Sequence, residues 1–185
     1  MRTLIKLLGV VAVAAAVLMG IVVAYVVTTG LDARARPGAW ETRVARSVRR
    51  LAVPGAIRSR RNPVSPSPEM LEDALAHFAD HCASCHGNDG RGQTDLGRNL
   101  YPRAPDMTQP DTQKLSDGEL FAIIRDGVRL TGMPGWGGDD AENWQLVHLI
   151  RRLPRMTKEE IESMKTFNPV TREQRDEDDF LNGRK

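Results

Sequence analysis

Apolar residues fill the N-terminal segment of the chain without interruption. From Leu7 to Leu31, 25 consecutive residues carry no charged side chain. A helix of that length spans about 37 Å, which exceeds the ~30 Å hydrocarbon core of a bilayer. The pattern predicts a single N-terminal transmembrane helix within residues 1–31. A cleavable signal peptide is the competing interpretation, with an Ala-Arg-Ala site at 33–35, although its apolar stretch is usually only about 7 to 15 residues long.

Residues 32–67 change to a segment rich in arginine and proline. Four of its apolar residues recur at helical spacing: Trp40, Val44, Val48 and Leu51. Because arginines occupy the other faces, this pattern predicts a short amphipathic helix. The helix either lies on the membrane surface with Trp40 at the depth of the lipid headgroups or forms a basic stalk. The prolines that follow predict a semi-rigid spacer over residues 54–67, so the whole segment reads as a juxtamembrane stalk and linker.

Residues 68–154 show the periodicity of amphipathic helices, with no competing strand pattern. Ser67 as N-cap and Pro68 at the first helical position predict a helix to about His81. The capping box from Ser116 to Glu119 predicts a second helix that ends near Gly127. A third helix is predicted from around 139 to just before 154, with acidic residues in its first turn and arginines in its last. These elements predict an all-α domain.

Residues 155–185 are predicted as a short helix followed by an acidic tail. A capping box from Thr157 to Glu160 predicts a helix that runs to about Lys165. Four acidic residues at 176–179 then give the tail a composition typical of solvated, partly disordered chain.

The charge distribution restricts the kind of partner. The net charge of +2 conceals a charge of +9 over residues 1–68, −6 over 69–154 and −1 over 155–185. Nucleic-acid binding would need the basic patch on the folded domain, so we expect no nucleic-acid partner. The basic segment instead favours lipid headgroups or a partner protein. Once anchor and linker are set aside, about 90 to 115 residues remain for one compact domain, which excludes a large multidomain enzyme.

The candidate chemistry lies in the run Cys82-Ala83-Ser84-Cys85-His86. Two cysteines at i and i+3 on a helical turn face the same side, where their thiols can form thioethers with the two vinyl groups of a haem. The adjacent His86 would then supply a nitrogen ligand to the iron. We therefore predict one covalent haem c per chain, with Cys82, Cys85 and His86 as cofactor-binding residues.

Two other interpretations of the cysteine pair are weaker. A zinc site needs further Cys or His ligands at metal spacing, and the remaining histidines at 77, 81 and 148 form no second paired cluster. A thioredoxin-like redox pair belongs in a βαβ context, which the helical pattern does not provide.

Met133 is the leading candidate for the second axial iron ligand. It follows His86 by 47 residues, in a loop punctuated by glycine and proline between two predicted helices. A thioether there could face the iron from the side opposite the histidine. The alternative for Met133 is a loop methionine that only fills a gap, which is also the expected role of five of the other six methionines. Met107, in another loop, is the exception and a minor candidate for the second ligand.

Residues 69–154 resemble a class I c-type cytochrome, a small helical domain with one haem. The corresponding parts occur in the family's order: Phe78, the Cys82–His86 motif, the turn at 87–90, the segment at 115–120, the loop at 132–134 and the helix at 144–154. The predicted fold class is therefore all-α, a cytochrome c-like domain around one covalent haem behind a single transmembrane helix.

The resemblance implies further details of the domain. Its first and last helices should cross and pack through Phe78 and Trp144, with His86 and Met133 as axial ligands of the haem iron. A backbone carbonyl of Pro102 or Pro105 should orient the histidine, and the residues alone do not decide between them. One departure is visible at the helix crossing, where the family commonly has glycine and this chain has Ala74.

Function is predicted from this coordination. Iron with both axial positions filled has no open site for a small-molecule substrate, so we expect an electron-transfer protein rather than an enzyme. The expected partners are a dehydrogenase or quinol-oxidising complex and a terminal oxidase of a respiratory chain, together with membrane lipid. Two alternatives remain: a gas- or peroxide-binding sensor or enzyme with a displaceable methionine, and a fixed haem subunit of a larger respiratory complex.

Two features of the sequence disagree on the side of the membrane where the helical domain lies. Six arginines at 34–50 outnumber Arg2 and Lys6, which by the positive-inside rule would keep the domain in the cytoplasm. Covalent haem attachment in bacteria, as the family resemblance implies, takes place outside the cytoplasmic membrane. We expect a single-pass protein of the bacterial cytoplasmic membrane with its haem domain on the periplasmic side.

Overall fold

The computed structural model describes residues 2–30 and 32–170. These residues form two compact units, one that ends at Ala33 and one that begins at Arg34. The predicted acidic tail at 176–179 lies outside the described residues.

The first unit consists of one long helix, α1, Arg2–Thr29. None of its residues is buried within the protein, and its apolar side chains are exposed along its whole length. By length and composition α1 could cross a membrane.

The second unit consists of helices joined by loops, and its described residues contain no strand. Its α-helices are α2 Ala39–Ala52, α3 Gly55–Arg58, α4 Pro68–His77, α5 Ala83–His86, α6 Asp95–Arg98, α7 Pro110–Gln113, α8 Asp117–Asp126, α9 Asp140–Arg152 and α10 Lys158–Ser163. A π-helical turn, Phe78–Cys82, joins α4 to α5, and 3₁₀ turns, Leu153–Arg155 and Met164–Phe167, follow α9 and α10. The prediction of an all-α fold is confirmed.

The caps predicted from the sequence are present in the structure. Ser67 accepts a hydrogen bond from the Met70 amide at the start of α4. Ser116 and Thr157 begin α8 and α10 with full capping boxes. The helix predicted to reach His81 differs in one respect, because its α-helical part ends at His77 and a π turn continues to the first cysteine.

The core forms where α4, α8 and α9 meet. Phe78, Phe121 and Trp144 are its largest fully buried side chains. The Phe121 and Trp144 rings stack with centroids 4.2 Å apart and an interplanar angle of 11°. Ala74 is completely buried in α4, in the same core as Trp144 of α9, so alanine is accommodated where these helices pack.

The segment predicted as a semi-rigid spacer contacts the helical domain. The Asn62 side-chain amide donates a hydrogen bond to the Trp144 carbonyl at 2.8 Å, and His148 Nε2 lies 2.8 Å from the Val64 carbonyl. Gly118 leaves room for the Ile57 carbonyl, which a Cβ at that position would overlap. Residues 54–67 therefore lie along the domain that the sequence pattern separates from them.

The C-terminal segment also contributes to the core. Met164 is completely buried, and the Asn168 side-chain amide donates a hydrogen bond to the Ala79 carbonyl at 2.8 Å. Residues 155–168 thus pack on the turn that precedes the cysteine motif, although the sequence pattern places them after the domain.

Glu119 connects helix capping to the packing of α2. Its carboxylate accepts a hydrogen bond from the Ser116 amide at 2.8 Å and lies 3.6 Å from the Arg50 guanidinium. Burial by itself would raise the pKa of Glu119, but the hydrogen bonds from Ser116 and the positive charges of Arg50 and Arg58 bring it below its usual range. A depressed pKa means that the carboxylate stabilises the folded state.

We expect Glu119→Ala to lower the free energy of unfolding of the holoprotein at pH 7 by about 1 to 2 kcal/mol, the usual cost of losing a helix cap. Because the pKa of Glu119 is lowered by folding, its contribution is present above its unfolded value near 4.5 and is lost as the pH falls through the folded value. Urea unfolding at pH 7 and at pH 3 measures both effects. The matched control is Glu159→Ala, at an exposed position of α10. An equal loss at the two pH values would contradict the role of the charge.

Candidate functional site

The cysteine motif is placed by an irregularity in the first core helix. The π turn Phe78–Cys82 buries Phe78 and Ala79, and α5 then carries Ala83 to His86. Gly87 ends α5 with φ of +71°, a conformation that residues with a Cβ rarely adopt. π turns within helices are often found at functional sites. The packing of Phe78 thus positions a turn with three chemically distinctive side chains.

Both cysteines are free and half-buried. Burial, with a smaller effect of Cys85, raises the pKa of the Cys82 thiol to about 12. A catalytic dithiol such as thioredoxin's works through a lowered pKa, because the thiolate is its nucleophile. The environment of Cys82 raises the pKa of its thiol instead of lowering it, so the pair does not resemble a redox-active dithiol.

His86 is the buried titratable group of the motif, with 9% of its surface exposed. Burial lowers the pKa of its imidazole, and the Pro105 backbone carbonyl, acting as a hydrogen-bond acceptor, opposes that shift. Nδ1 itself has no hydrogen bond of standard geometry. Of the two prolines considered from the sequence, Pro105 is therefore the one whose carbonyl affects the pKa of His86.

A glycine turn brings Pro105 to the histidine. The Gly92 amide donates to the His86 carbonyl at 2.7 Å, and the Met107 amide donates to the Gly90 carbonyl at 2.8 Å. Gly92 has φ of +68°, and a Cβ there would overlap the Ala104 backbone. The close approach of these two backbone segments therefore requires glycine.

The loop that carries Met133 folds back on the end of α8. The Val128 amide donates to the Met133 carbonyl at 3.1 Å, and the Met133 amide donates to the Thr131 hydroxyl at 3.1 Å. Gly127 has φ of +70°, and a Cβ there would press on the backbone at 133–135. The loop is therefore held by hydrogen bonds among its own residues, while the Met133 side chain is only half-buried.

The structure brings the methionine loop next to the cysteine motif. Trp136 and His81 have ring centroids 5.1 Å apart, and His81 immediately precedes Cys82. On the other side of the loop, a Cβ on Gly132 would touch the Leu100 side chain. Sequence reasoning did not assign Trp136 or Leu100 a part in the site, because a lone aromatic and a lone leucine in loops carry no motif.

The two methionine candidates occupy different environments. Met107 is buried in the hydrophobic core, and its carbonyl accepts a hydrogen bond from the Gln113 side chain at 2.7 Å. Met133 lies outside that core, in the loop beside the cysteine motif. Core packing therefore accounts for the Met107 side chain, whereas it does not account for Met133.

The remaining histidines have ordinary partners. His77 and His81 stack edge to face at 5.0 Å, and His81 Nδ1 lies 2.9 Å from an Asp80 oxygen. Burial and the neighbouring His81 lower the pKa of His77. Across the described ranges 2–30 and 32–170, no three His, Cys, Asp or Glu side chains converge as a metal site would require. The zinc interpretation thus gains no support from the fold.

The donor set fits a covalently attached haem. Two half-buried thiols three residues apart can form thioethers, and the imidazole beside them is buried with an unsatisfied nitrogen. An imidazole nitrogen and a thioether sulfur are both ligands that haem iron takes in proteins. Cys82, Cys85, His86 and Met133 are accordingly the residues that would hold the group.

Comparison with known proteins gives one family. Residues 69–150 match the family model described as cytochrome c oxidase, cbb3-type, subunit III. The match begins in α4 and ends in α9, so it covers the core helices, the cysteine motif and the methionine loop. No curated protein matches the chain at a significant level.

Proposed function

Residues 69–150 form a class I c-type cytochrome domain that binds haem c covalently, and from this premise we propose that the chain is a membrane-tethered electron carrier whose haem iron is ligated by His86 and Met133. It would pass single electrons between a dehydrogenase or quinol-oxidising complex and a terminal oxidase. The observation that carries the ligand assignment is the contact of Trp136 with His81, which brings the Met133 loop to the cysteine motif.

The environment of His86 suits an iron ligand. Its lowered pKa keeps the imidazole neutral near pH 7, so that a nitrogen lone pair is available for coordination. The Pro105 carbonyl can accept the imidazole proton and so fix the tautomer that leaves the other ring nitrogen for the metal. When bound, haem c supplies a one-electron iron couple, and axial methionine favours a high reduction potential.

The helical core supports transfer of electrons rather than reaction with a substrate. Phe78, Phe121 and Trp144 exclude water from the interior behind the motif. The backbone hydrogen bonds at Val128 and Met133 hold the methionine loop closed. With His86 and Met133 as its ligands, the iron would have no open position at which oxygen or peroxide could bind.

The charge of the domain and the apolar α1 indicate where it works. An excess of six acidic charges over residues 69–154 would steer a basic redox partner during short encounters. The helix α1 is long and apolar enough to anchor the chain in a bilayer. We place the haem domain on the periplasmic side of a bacterial cytoplasmic membrane, where covalent haem attachment occurs.

The spectrum of the full-length holoprotein, purified in detergent from cells that attach haem c, tests this function. We expect a haem that stays bound after denaturation, and a reduced spectrum that carbon monoxide leaves unchanged. A spectrum that shifts with carbon monoxide would show an accessible iron position and favour the gas- or peroxide-binding alternative. A protein without covalent haem would contradict the proposal as a whole.

A fixed haem subunit of a respiratory complex is the second candidate, because the matching family model is described as an oxidase subunit. Mild detergent extraction followed by size-exclusion chromatography separates the two. A tethered carrier should elute as a free chain with its haem, whereas a fixed subunit should elute together with other haem-containing chains.

A further inference from the structure

The helix α2 exposes its apolar face instead of burying it. Trp40, Val44, Val48 and Leu51 follow one another at helical spacing, and 61%, 55%, 60% and 80% of their surfaces are exposed. We call these four residues the α2 stripe. Contiguous exposed apolar side chains on a folded unit mark a surface that another apolar medium covers.

The polar side of the same helix is fixed to the haem domain. Arg46 forms an ion pair with Asp111 at 2.7 Å, and the Tyr101 hydroxyl donates to Glu41 at 2.5 Å. Arg50 lies 3.6 Å from the buried Glu119, at the start of α8.

Backbone contacts continue this attachment after α2. The Arg58 guanidinium donates to the Arg50 and Val53 carbonyls, each at 2.9 Å, and the Ser116 hydroxyl donates to the Arg58 carbonyl at 2.7 Å. Val53 is buried at the end of the helix. The helix therefore packs with its polar side inward, the reverse of a helix that stabilises a soluble core.

The position of α2 in the chain indicates what covers the stripe. Nine residues, 30–38, separate α1 from α2. Fully extended, they reach about 35 Å from the last residue of α1 to the first of α2. A chain whose α1 is anchored in a bilayer thus keeps the start of α2 within about 35 Å of the end of α1.

The residues that flank the stripe are suited to lipid headgroups. Arg43 is exposed on α2, whereas Arg46 and Arg50 of the same helix pair with Asp111 and Glu119. Exposed arginines are attracted to anionic headgroups, and tryptophan is enriched at the membrane interface. Apolar side chains on one face with arginines at its edge are the pattern of an interfacial helix.

We propose that the α2 stripe lies in the lipid interface and holds the haem domain against the membrane by a fixed face. The inference rests on the proposed membrane anchor. Because α2 is attached to the domain through Asp111, Glu119 and Tyr101, its insertion would set the orientation of the whole domain. The domain would then present a constant surface to its redox partner, and α2 would not serve as part of a loose tether.

Spin labels in the full-length holoprotein test this placement. The protein is reconstituted in nanodiscs of phosphatidylcholine and phosphatidylglycerol and labelled at one introduced cysteine at a time: Val48→Cys in the stripe, Ala15→Cys in α1, or Lys158→Cys at an exposed position of α10. The two native cysteines are not labelled because they are bonded to haem. Collision rates with oxygen, which partitions into lipid, and with a water-soluble nickel chelate give the environment of each label in the ferrous protein.

We expect a severalfold higher ratio of oxygen to nickel collisions at position 48 than at position 158, with the ratio at position 15 also high. A label at 48 that behaves like the one at 158, while 15 remains in lipid, would overturn the interfacial helix and leave the anchor intact. A label at 15 in water would overturn the anchor, and the present inference with it. A label at 48 that is shielded from both reagents would show a protein cover, either a second copy or a partner, and would also overturn the inference.

Discussion

Replacing His86 by alanine is expected to abolish the normal holoprotein. The imidazole is buried beside the two cysteines, burial lowers its pKa, and the Pro105 carbonyl opposes that shift. Loss of an outer-shell partner of a metal ligand typically costs about 10- to 100-fold in metal affinity or activity, so loss of the ligand should reduce holoprotein at least ~10-fold. The yield of covalent haem per chain, measured by absorbance and haem staining of denatured protein, gives this quantity.

His148→Ala is the matched control for that experiment. His148 is a half-buried histidine of the same domain whose Nε2 lies 2.8 Å from the Val64 carbonyl. Its replacement removes one hydrogen bond and should leave the haem yield close to that of the unaltered protein. If His86→Ala retained a full complement of haem with an unchanged spectrum, the proposed ligand would be wrong.

The second large effect is expected for Met133→Leu. Leucine has nearly the volume of methionine, so the loop should keep its backbone hydrogen bonds and the haem should remain attached through Cys82 and Cys85. The sulfur ligand, however, is lost. The reduced protein should then bind carbon monoxide, and its reduction potential should fall by on the order of 0.1 V, since axial ligands set haem potentials over about 0.8 V.

Met107→Leu separates loss of a ligand from loss of a methionine. Met107 is buried in the core, where leucine fits with a cost below about 1.5 kcal/mol in the free energy of unfolding. We expect its spectrum, its potential and its lack of carbon monoxide binding to match the unaltered protein. The opposite pattern, with an opened iron in Met107→Leu and none in Met133→Leu, would transfer the ligand assignment to Met107.

Much of the fold follows from interactions between neighbours in the chain. The capping residues Ser67, Ser116 and Thr157 each act on a group three residues away, and all three helices begin where those residues predict. A pattern that acts over three or four residues can be read directly from the sequence. The π turn Phe78–Cys82 could not be predicted in this way. An α-helix and a π turn bury Phe78 with the same local pattern, and only packing against the core selects between them.

The segments on either side of the core are where sequence and structure differ. Residues 54–67 have the proline content of a spacer, yet Asn62 bonds to Trp144, 82 positions away in the chain. Met164 lies beyond the predicted end of the domain and is completely buried. Single side chains of this kind produce no periodicity, so their contacts become visible only when the chain is folded.

The apolar span at the N-terminus, the main helices and the Cys82–His86 motif can all be predicted from the amino-acid sequence. These properties depend on composition, on spacing of a few residues or on a covalent function, none of which needs a distant partner. Tertiary structure alone decided that Pro105 rather than Pro102 acts on His86, that Met107 belongs to the core while the Met133 loop approaches the motif, and that α2 turns its apolar face outward. Each of these depends on contacts between residues far apart in the chain, whose free energy exists only once the core has brought them together.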